Sequence, residues 1–123
     1  MYLTKNFSYL EMIKSSTAQR LNVSNHPTLE HAINLVNLCN IILQPVREEF
    51  GPIRINSGYR SPTLNAKVGG SKTSQHCNGE AADFESSSIS NPELAAWIAK
   101  NLDFDQLILE FYDGSDPHSG WIH

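Results

Sequence analysis

Two histidines and one aspartate are the residues of this chain whose types and spacing could do chemistry. His76 and Asp83 lie in the segment SQHCNGEAAD (residues 74–83), and His123 ends the segment WIH (121–123). Two imidazoles and one carboxylate can hold Zn²⁺ by three protein ligands, and the fourth position then stays open for water, as hydrolytic zinc requires. These residue types raise the hypothesis of a hydrolase that uses one zinc ion bound by His76, Asp83 and His123.

The surroundings of His76 and Asp83 make the two residues more informative than either is alone. The segment around them is rich in Gly, Ala and Ser, so that a ligand or a backbone can approach closely. Asp83 lies between Ala82 and Phe84, in what the pattern predicts to be a buried strand. A buried carboxylate is costly unless a positive group compensates it, and either a metal ion or Arg60 could do so.

Four segments, in this order along the chain, resemble the M15 family of zinc peptidases, which includes D-alanyl-D-alanine carboxypeptidases and phage endolysins. They are SGYRS (57–61), VGGS (68–71), SQH followed by GEAAD (74–76 and 79–83), and WIH (121–123). The resemblance implies that His76, Asp83 and His123 hold zinc, and that Arg60 binds the substrate carbonyl or the developing oxyanion. It also implies a small α+β domain of the hedgehog/DD-peptidase type, with helices packed on a mainly antiparallel central sheet.

The role implied for Arg60 agrees with the chemistry of its side chain. A guanidinium carries a permanent charge and a rigid set of donors, which can stabilise negative charge on an amide oxygen. The alternative is a structural salt bridge from Arg60 to Asp83 or Glu80.

Two residues compete for the role of general base. Glu110 follows Leu107-Ile108-Leu109, a setting that the related peptidases share, and from a hairpin strand it can face the same pocket. The structural alternative is a sheet-face carboxylate paired with Lys or Arg. His118 lies five residues before His123, where some members of the family use a histidine, but it is also an ordinary residue for an exposed turn.

Four further residues are candidates for contacts with the substrate. Ser71, Ser74 and Gln75 can exchange hydrogen bonds with a substrate in the cleft, and Trp121 either packs under the metal site or stacks on the substrate. The resemblance implies that this substrate is a peptidoglycan stem peptide or a related peptide with D-amino acids. The favoured function is a zinc-dependent peptidase that cuts such peptides, and the alternative is a metal-stabilised module that binds them without cutting.

The hydrophobic pattern predicts helices in the first half of the chain and a small, mainly antiparallel sheet in the second, an α+β fold. A capping box at Ser8 predicts a short helix there. The strongest helical pattern runs from residue 27 or 28 to 50, and Pro45 is expected to kink it or to start a second piece. Strands are expected at 53–56, 81–84, 105–111 and 120–123, and further helices at 61–66 and from Asn91.

The two cysteines allow several interpretations. Cys39 lies in the apolar helical pattern, which favours a buried thiol. Cys77 is expected to point away from the metal, because neighbours on an extended segment face opposite ways. A bridge between the two cysteines stays open at this level.

Composition restricts the remaining function classes. The 123 residues, 40% hydrophobic and 18% charged, suit one domain over 1–123, which we expect to be a monomer. The net charge of −4 and the scattered Lys and Arg residues argue against nucleic acid as a partner. The chain has no long apolar run of the kind that predicts a membrane span or a signal peptide. We therefore expect synthesis in the cytoplasm, with release to the cell wall by another factor. Because related peptidases usually continue beyond the third ligand, we expect weaker zinc binding than in a chain extended past His123.

Overall fold

The computed structural model describes residues 1–104, 106–110 and 121–122, and at Glu110 and Trp121 it describes the backbone only. The chain begins with two short helices, α1 (Tyr9–Ile13) and α2 (Ser16–Leu21). The predicted start at Ser8 is confirmed, because its Oγ accepts the backbone N–H of Glu11 at 3.1 Å. This cap satisfies one of the donors that the first turn of a helix leaves without a partner.

The long helical segment consists of α3 (Leu29–Leu38), a π-helical turn (Cys39–Leu43) and α4 (Gln44–Phe50). It begins after Thr28, which caps it, and it ends at Gly51, as the sequence predicts. The disturbance expected at Pro45 takes the form of the widened turn, in which the Gln44 N–H donates to the Cys39 carbonyl, five residues back. Proline has no N–H and its ring clashes with the carbonyl four residues back, and a wider turn relieves that clash.

The described strands are β1 (Ile53–Ser57), β2 (Asp83–Ser86), β3 (Leu109–Glu110) and β4 (Trp121–Ile122). They form one antiparallel sheet in the order β1-β2-β4-β3, which confirms the predicted α+β fold. The helix α6 (Asn91–Asn101) and the long helical segment pack on it. In the order of the chain, the short helix α5 (Pro62–Lys67) follows β1 and precedes β2. No helix among the described residues is long and apolar enough to cross a membrane.

Two strand predictions are wrong in their bounds. The strand expected at 81–84 begins only at Asp83, and residues 106–108 precede β3 without strand structure. The first difference arises because the residues that follow β1 form hydrogen bonds with other elements instead of with β2. The Gly58 carbonyl accepts from a histidine ring and the Tyr59 N–H donates to the Met12 carbonyl, so the ladder with β2 does not extend to residue 82.

The core lies between the helices and one face of the sheet. Phe84 and Ile122 project into it from paired positions on β2 and β4. Because side chains alternate along a strand, Asp83 lies on the opposite face of the sheet from Phe84. The fold therefore separates a packed apolar face from a face available for polar groups. The helical side chains of this core include Leu35, Leu43, Val46, Leu94 and Ile98.

Candidate metal centre

His76 lies in a 3₁₀ turn (Gln75–Asn78) on the connection between β1 and β2. The hydroxyl of Ser74 caps the turn by accepting the His76 N–H at 3.2 Å, and Gly79 ends it with a φ of 74°. A side chain at Gly79 is excluded, because its Cβ would lie 2.3 Å from the His31 carbonyl oxygen. The His76 residue is only 1% exposed.

The ring of His76 has a defined orientation and tautomer. Its Nδ1 lies 2.7 Å from the Gly58 carbonyl oxygen, and since a carbonyl can only accept, Nδ1 carries the proton. In the neutral ring, Nε2 then holds the lone pair that a metal requires. A backbone carbonyl on the far nitrogen is a usual second partner of metal-binding histidines, because it fixes the ring and raises its basicity.

Asp83 faces this nitrogen. Its Oδ2 lies 3.4 Å from His76 Nε2, and its side chain is 13% exposed. The distance exceeds the usual 2.7–3.2 Å of an N–H···O hydrogen bond. It agrees with the separation of two ligands on a tetrahedral zinc ion, about 3.4 Å for metal–ligand bonds near 2.1 Å. The pair therefore fits a shared zinc ion.

The sheet register brings Asp83 to this position. Ser57 pairs with Asp83, but Ile55 pairs with Phe84, so β1 has one extra residue at Asn56. Such a bulge bends a strand and changes the direction of its side chains, and bulges are common next to functional sites. Within the described ranges, no third His, Cys, Asp or Glu side chain completes a metal-binding group with the pair.

Arg60 lies next to the histidine turn. Its backbone N–H donates to the His76 carbonyl at 3.1 Å, and its Nη2 donates to the Ser74 Oγ at 3.3 Å. Its Nε is buried and has no hydrogen-bond partner among the described residues. A buried donor without a partner is costly, and because this Nε has no accessible surface, a ligand oxygen could reach it only if the guanidinium turned.

A polar depression of about 630 Å³ joins Arg60 and His76 to three residues predicted to bind substrate, Ser71, Ser74 and Gln75. The structure therefore brings these five residues together. Ser74 also has structural contacts, because its hydroxyl meets both the His76 N–H and the Arg60 guanidinium. Sequence reasoning missed two residues of this depression, which are Thr73 and Gln106.

A second depression, of about 960 Å³, lies on the other side of Arg60 and reaches Asp83. Its walls carry the cations Lys14 and Arg54 as well as the acid Glu85. Arg60 borders both depressions, and His76 and Asp83 each border one of them. The two residues of the candidate metal pair thus border different depressions, which have Arg60 in common.

Comparison with known proteins shows the family of the chain. The model of the family described as peptidase M15 matches residues 5–123. The chain belongs to the peptidase M15 family. This M15 chain is also 38% identical, over 79 residues, to the zinc D-Ala-D-Ala carboxypeptidase of Streptomyces albus G. The similarity covers 63% of the chain but only 31% of that protein, so the chain spans about a third of its relative's length.

The remaining predicted residues of the M15 site lie wholly or partly outside the described residues. His118 and His123 fall outside them, so the third zinc ligand and the alternative base stay predictions. Glu110 and Trp121 are described as paired backbone positions on β3 and β4, without their side chains. Their roles as general base and substrate contact likewise stay predictions.

Both cysteines of the M15 chain are free thiols, so the bridge left open by the sequence does not form. The expectation that Cys77 lies on an extended segment is wrong, because residues 75–78 form a 3₁₀ turn. Burial raises the pKa of the Cys77 thiol, and the nearby Arg60 guanidinium partly offsets this rise. Cys39 is buried as predicted, and burial together with Glu11 raises its pKa to about 12.

Proposed function

We propose that this chain is a zinc-dependent peptidase that hydrolyses bonds involving D-amino acids in peptidoglycan stem peptides. The observation that carries the proposal is the His76–Asp83 pair, with 3.4 Å between Nε2 and Oδ2 and a ring fixed by the Gly58 carbonyl. The relative from Streptomyces albus G, whose name includes both zinc and D-Ala-D-Ala, supports the metal and the class of substrate.

We propose His123 as the third ligand. Ile122 pairs with Phe84 in the antiparallel ladder of β4 and β2. Antiparallel neighbours run in opposite directions, so an unbroken ladder would bring the residue after Ile122 opposite Asp83. Two histidines and one carboxylate then complete a site that keeps one position open, the arrangement of catalytic rather than structural zinc.

Glu110 is the residue that we propose as general base. It pairs with Trp121, next to the pair of Leu109 with Ile122. Directly paired residues share a face of the sheet, and Ile122 belongs to the core face. Position 110 therefore lies on the opposite face, which is the face of Asp83. From there a carboxylate can take a proton from the attacking water and deliver it to the leaving amine.

Zinc held by these ligands would polarise the scissile carbonyl and activate water. Arg60 supplies the second positive group. Arg60 borders both depressions, and the N–H donors of its guanidinium can bind the carbonyl oxygen and stabilise the negative charge that develops there. Loss of such a donor typically raises the barrier by about 2.7–4 kcal/mol.

The substrate would lie across Arg60, with one part of the peptide in each depression. In the smaller depression, Ser71, Ser74 and Gln75 offer hydrogen bonds to its backbone. We also propose Trp121 as an aromatic contact for the substrate. In the larger one, Lys14 and Arg54 favour a carboxylate-bearing part of the peptide. Stem peptides carry such carboxylates.

Digestion of purified peptidoglycan and of a peptide that ends in D-Ala-D-Ala, with products identified by mass, tests the proposal. We expect cleavage by the zinc-loaded protein and none after treatment with a chelator. Asp83→Asn should abolish both zinc binding and cleavage, because it removes the charge of a proposed ligand with little change in shape. Asp103→Asn is the matched control, since Asp103 is exposed and outside the site, and it should behave as the wild type.

Each alternative result is informative. Cleavage that survives the chelator would discard the metal mechanism. Binding of stem peptides without cleavage by the zinc-loaded protein would favour a recognition module. Release of a single terminal residue would indicate a carboxypeptidase, and internal fragments would indicate an endopeptidase.

A further inference from the structure

The side chain of Asn25 joins three backbone groups that are distant in sequence. Asn25 lies on the connection between α2 and α3 and is 7% exposed. Its Nδ2 donates to the carbonyl oxygens of Ile13 at 2.7 Å and Tyr59 at 3.0 Å, and its Oδ1 accepts the Ser61 N–H at 2.7 Å. Both donors and the acceptor of the amide are thereby used.

Two of these bonds lie on either side of Arg60. The Tyr59 carbonyl precedes it and the Ser61 N–H follows it, and Ser61 Oγ adds a bond to the Ser24 carbonyl at 3.0 Å. Residues 24 and 25 therefore hold the backbone of residue 60 from both directions. The Arg60 N–H is meanwhile bonded to the His76 carbonyl, which relates this backbone directly to the candidate metal ligand.

The side chain of Arg60 has fewer restraints than its backbone. Among the described residues its guanidinium makes one hydrogen bond, from Nη2 to Ser74 Oγ, at a long 3.3 Å. The direction of the guanidinium thus depends on where the backbone places its Cα. A misplacement of about 1 Å by a mutation outside the reacting groups can reduce a rate by about 100-fold.

Asparagine suits this position because the segment at 59–61 has left the sheet. The buried backbone groups of this segment have no partner in a strand ladder and must form hydrogen bonds with other groups. Aspartate would keep the acceptor for Ser61 but place an oxygen against the two carbonyls. An apolar side chain would leave all three groups without this partner.

We infer that Asn25 is a positioning residue that holds Arg60 in place for the substrate, an inference that rests on the proposed function. Asn25 is not itself a substrate contact and acts through Arg60. The sequence contained no local signal for it, because its partners lie 12, 34 and 36 positions away.

Gln44 provides a matched control. It is also buried and makes three hydrogen bonds, accepting from Thr4 Oγ1 at 2.8 Å and the Asn6 N–H at 3.0 Å and donating to Asn6 Oδ1 at 2.7 Å. These bonds hold the N-terminal segment and none of them reaches residues 59–61. Truncation of Gln44 thus removes as many bonds as truncation of Asn25, at a distance from Arg60.

The test measures kcat and KM of zinc-loaded Asn25→Ala and Gln44→Ala on a stem peptide, together with thermal stability. We expect both variants to lose stability, and only Asn25→Ala to lose kcat, by about 10- to 100-fold. In an Arg60→Ala background, Asn25→Ala should lower kcat no further, because the residue it positions is absent. Asn25→Asp, which keeps one of the three bonds, serves if the alanine variant does not fold, and it should show the same dependence on Arg60.

Two results would overturn the inference. One is an equal kcat for the Asn25 and Gln44 variants, and the other is an undiminished effect of Asn25→Ala when Arg60 is absent. Amide hydrogen exchange distinguishes failure of the positioning role from failure of the proposed function. If the wild type cleaves nothing, the proposed function fails. Protection of the Arg60 N–H should still fall in Asn25→Ala and not in Gln44→Ala, and unchanged protection would refute the positioning role.

Discussion

Substitution of Gly58 by alanine should damage the fold and the metal site together. An alanine Cβ at this position would lie 2.3 Å from the Met12 carbonyl oxygen, whereas real contacts begin near 3.0 Å. The two backbones must therefore separate by about 0.7 Å. The Tyr59 N–H donates to that same Met12 carbonyl at 2.8 Å, so the separation would also break this hydrogen bond.

The cost follows from these two losses. Overpacking typically destabilises by about 1–3 kcal/mol, and a lost hydrogen bond adds about 0.5–1.5 kcal/mol. We expect Gly58→Ala to lower the free energy of unfolding by about 2–4 kcal/mol. For a chain of this length, that corresponds to a fall in Tm of about 8–15 °C.

The same movement should weaken zinc binding, because the Gly58 carbonyl accepts from His76 Nδ1 at 2.7 Å. Loss of such a second partner usually costs about 10- to 100-fold in metal affinity. Urea unfolding and calorimetric zinc titration measure the two effects. Gly69→Ala is the control, since Gly69 has a φ of 75° and open space around it. It should lose about 1–2 kcal/mol through backbone strain and keep its zinc affinity.

Two outcomes would refute this reasoning. Wild-type stability in Gly58→Ala, within about 0.5 kcal/mol, would show that the close approach of the two backbones is not maintained. Lost stability with unchanged zinc affinity would show that the Gly58 carbonyl does not orient His76.

Three further predictions concern single residues. Ser74→Ala should lower the free energy of unfolding by about 1 kcal/mol and also lower kcat/KM, because the Ser74 hydroxyl caps the histidine turn and contacts Arg60. The control Ser8→Ala should lose a similar free energy in urea unfolding, with kcat/KM unchanged. Between about pH 9 and 12 the unfolded chain loses the proton of Cys39 while the folded chain, where its pKa is raised to about 12, keeps it. The free energy of unfolding should therefore fall with rising pH, by roughly 1.4 kcal/mol per pH unit from this thiol, and Cys39→Ala should show a shallower fall in urea titrations. Leu94→Ala should lower the free energy of unfolding by about 2–5 kcal/mol, because this side chain is fully buried in the core. The zinc affinity measured by calorimetry should not change. A large loss of zinc affinity would contradict the separation of core and site.

The parts of the fold that the sequence predicted are those controlled by near neighbours. Helix starts at Ser8 and after Thr28 follow from hydroxyls that accept an N–H three residues ahead. The disturbance near Pro45 follows from the chemistry of one residue. The bounds of β2 were not predictable in this way, because the ladder ends where Gly58 and Tyr59 find partners on other elements.

For the site, the sequence alone determined the residue types and their order, which suffice for the family and for His76, Asp83 and Arg60 as candidates. Only the tertiary structure decided that His76 and Asp83 face each other at 3.4 Å, that a carbonyl 18 positions away fixes the ring, and that Asn25 holds the backbone of Arg60. The physical reason is that hydrogen bonds between distant segments have no period along the chain. They depend on bulges, turns and close backbone approaches, which exist only once the segments are packed together.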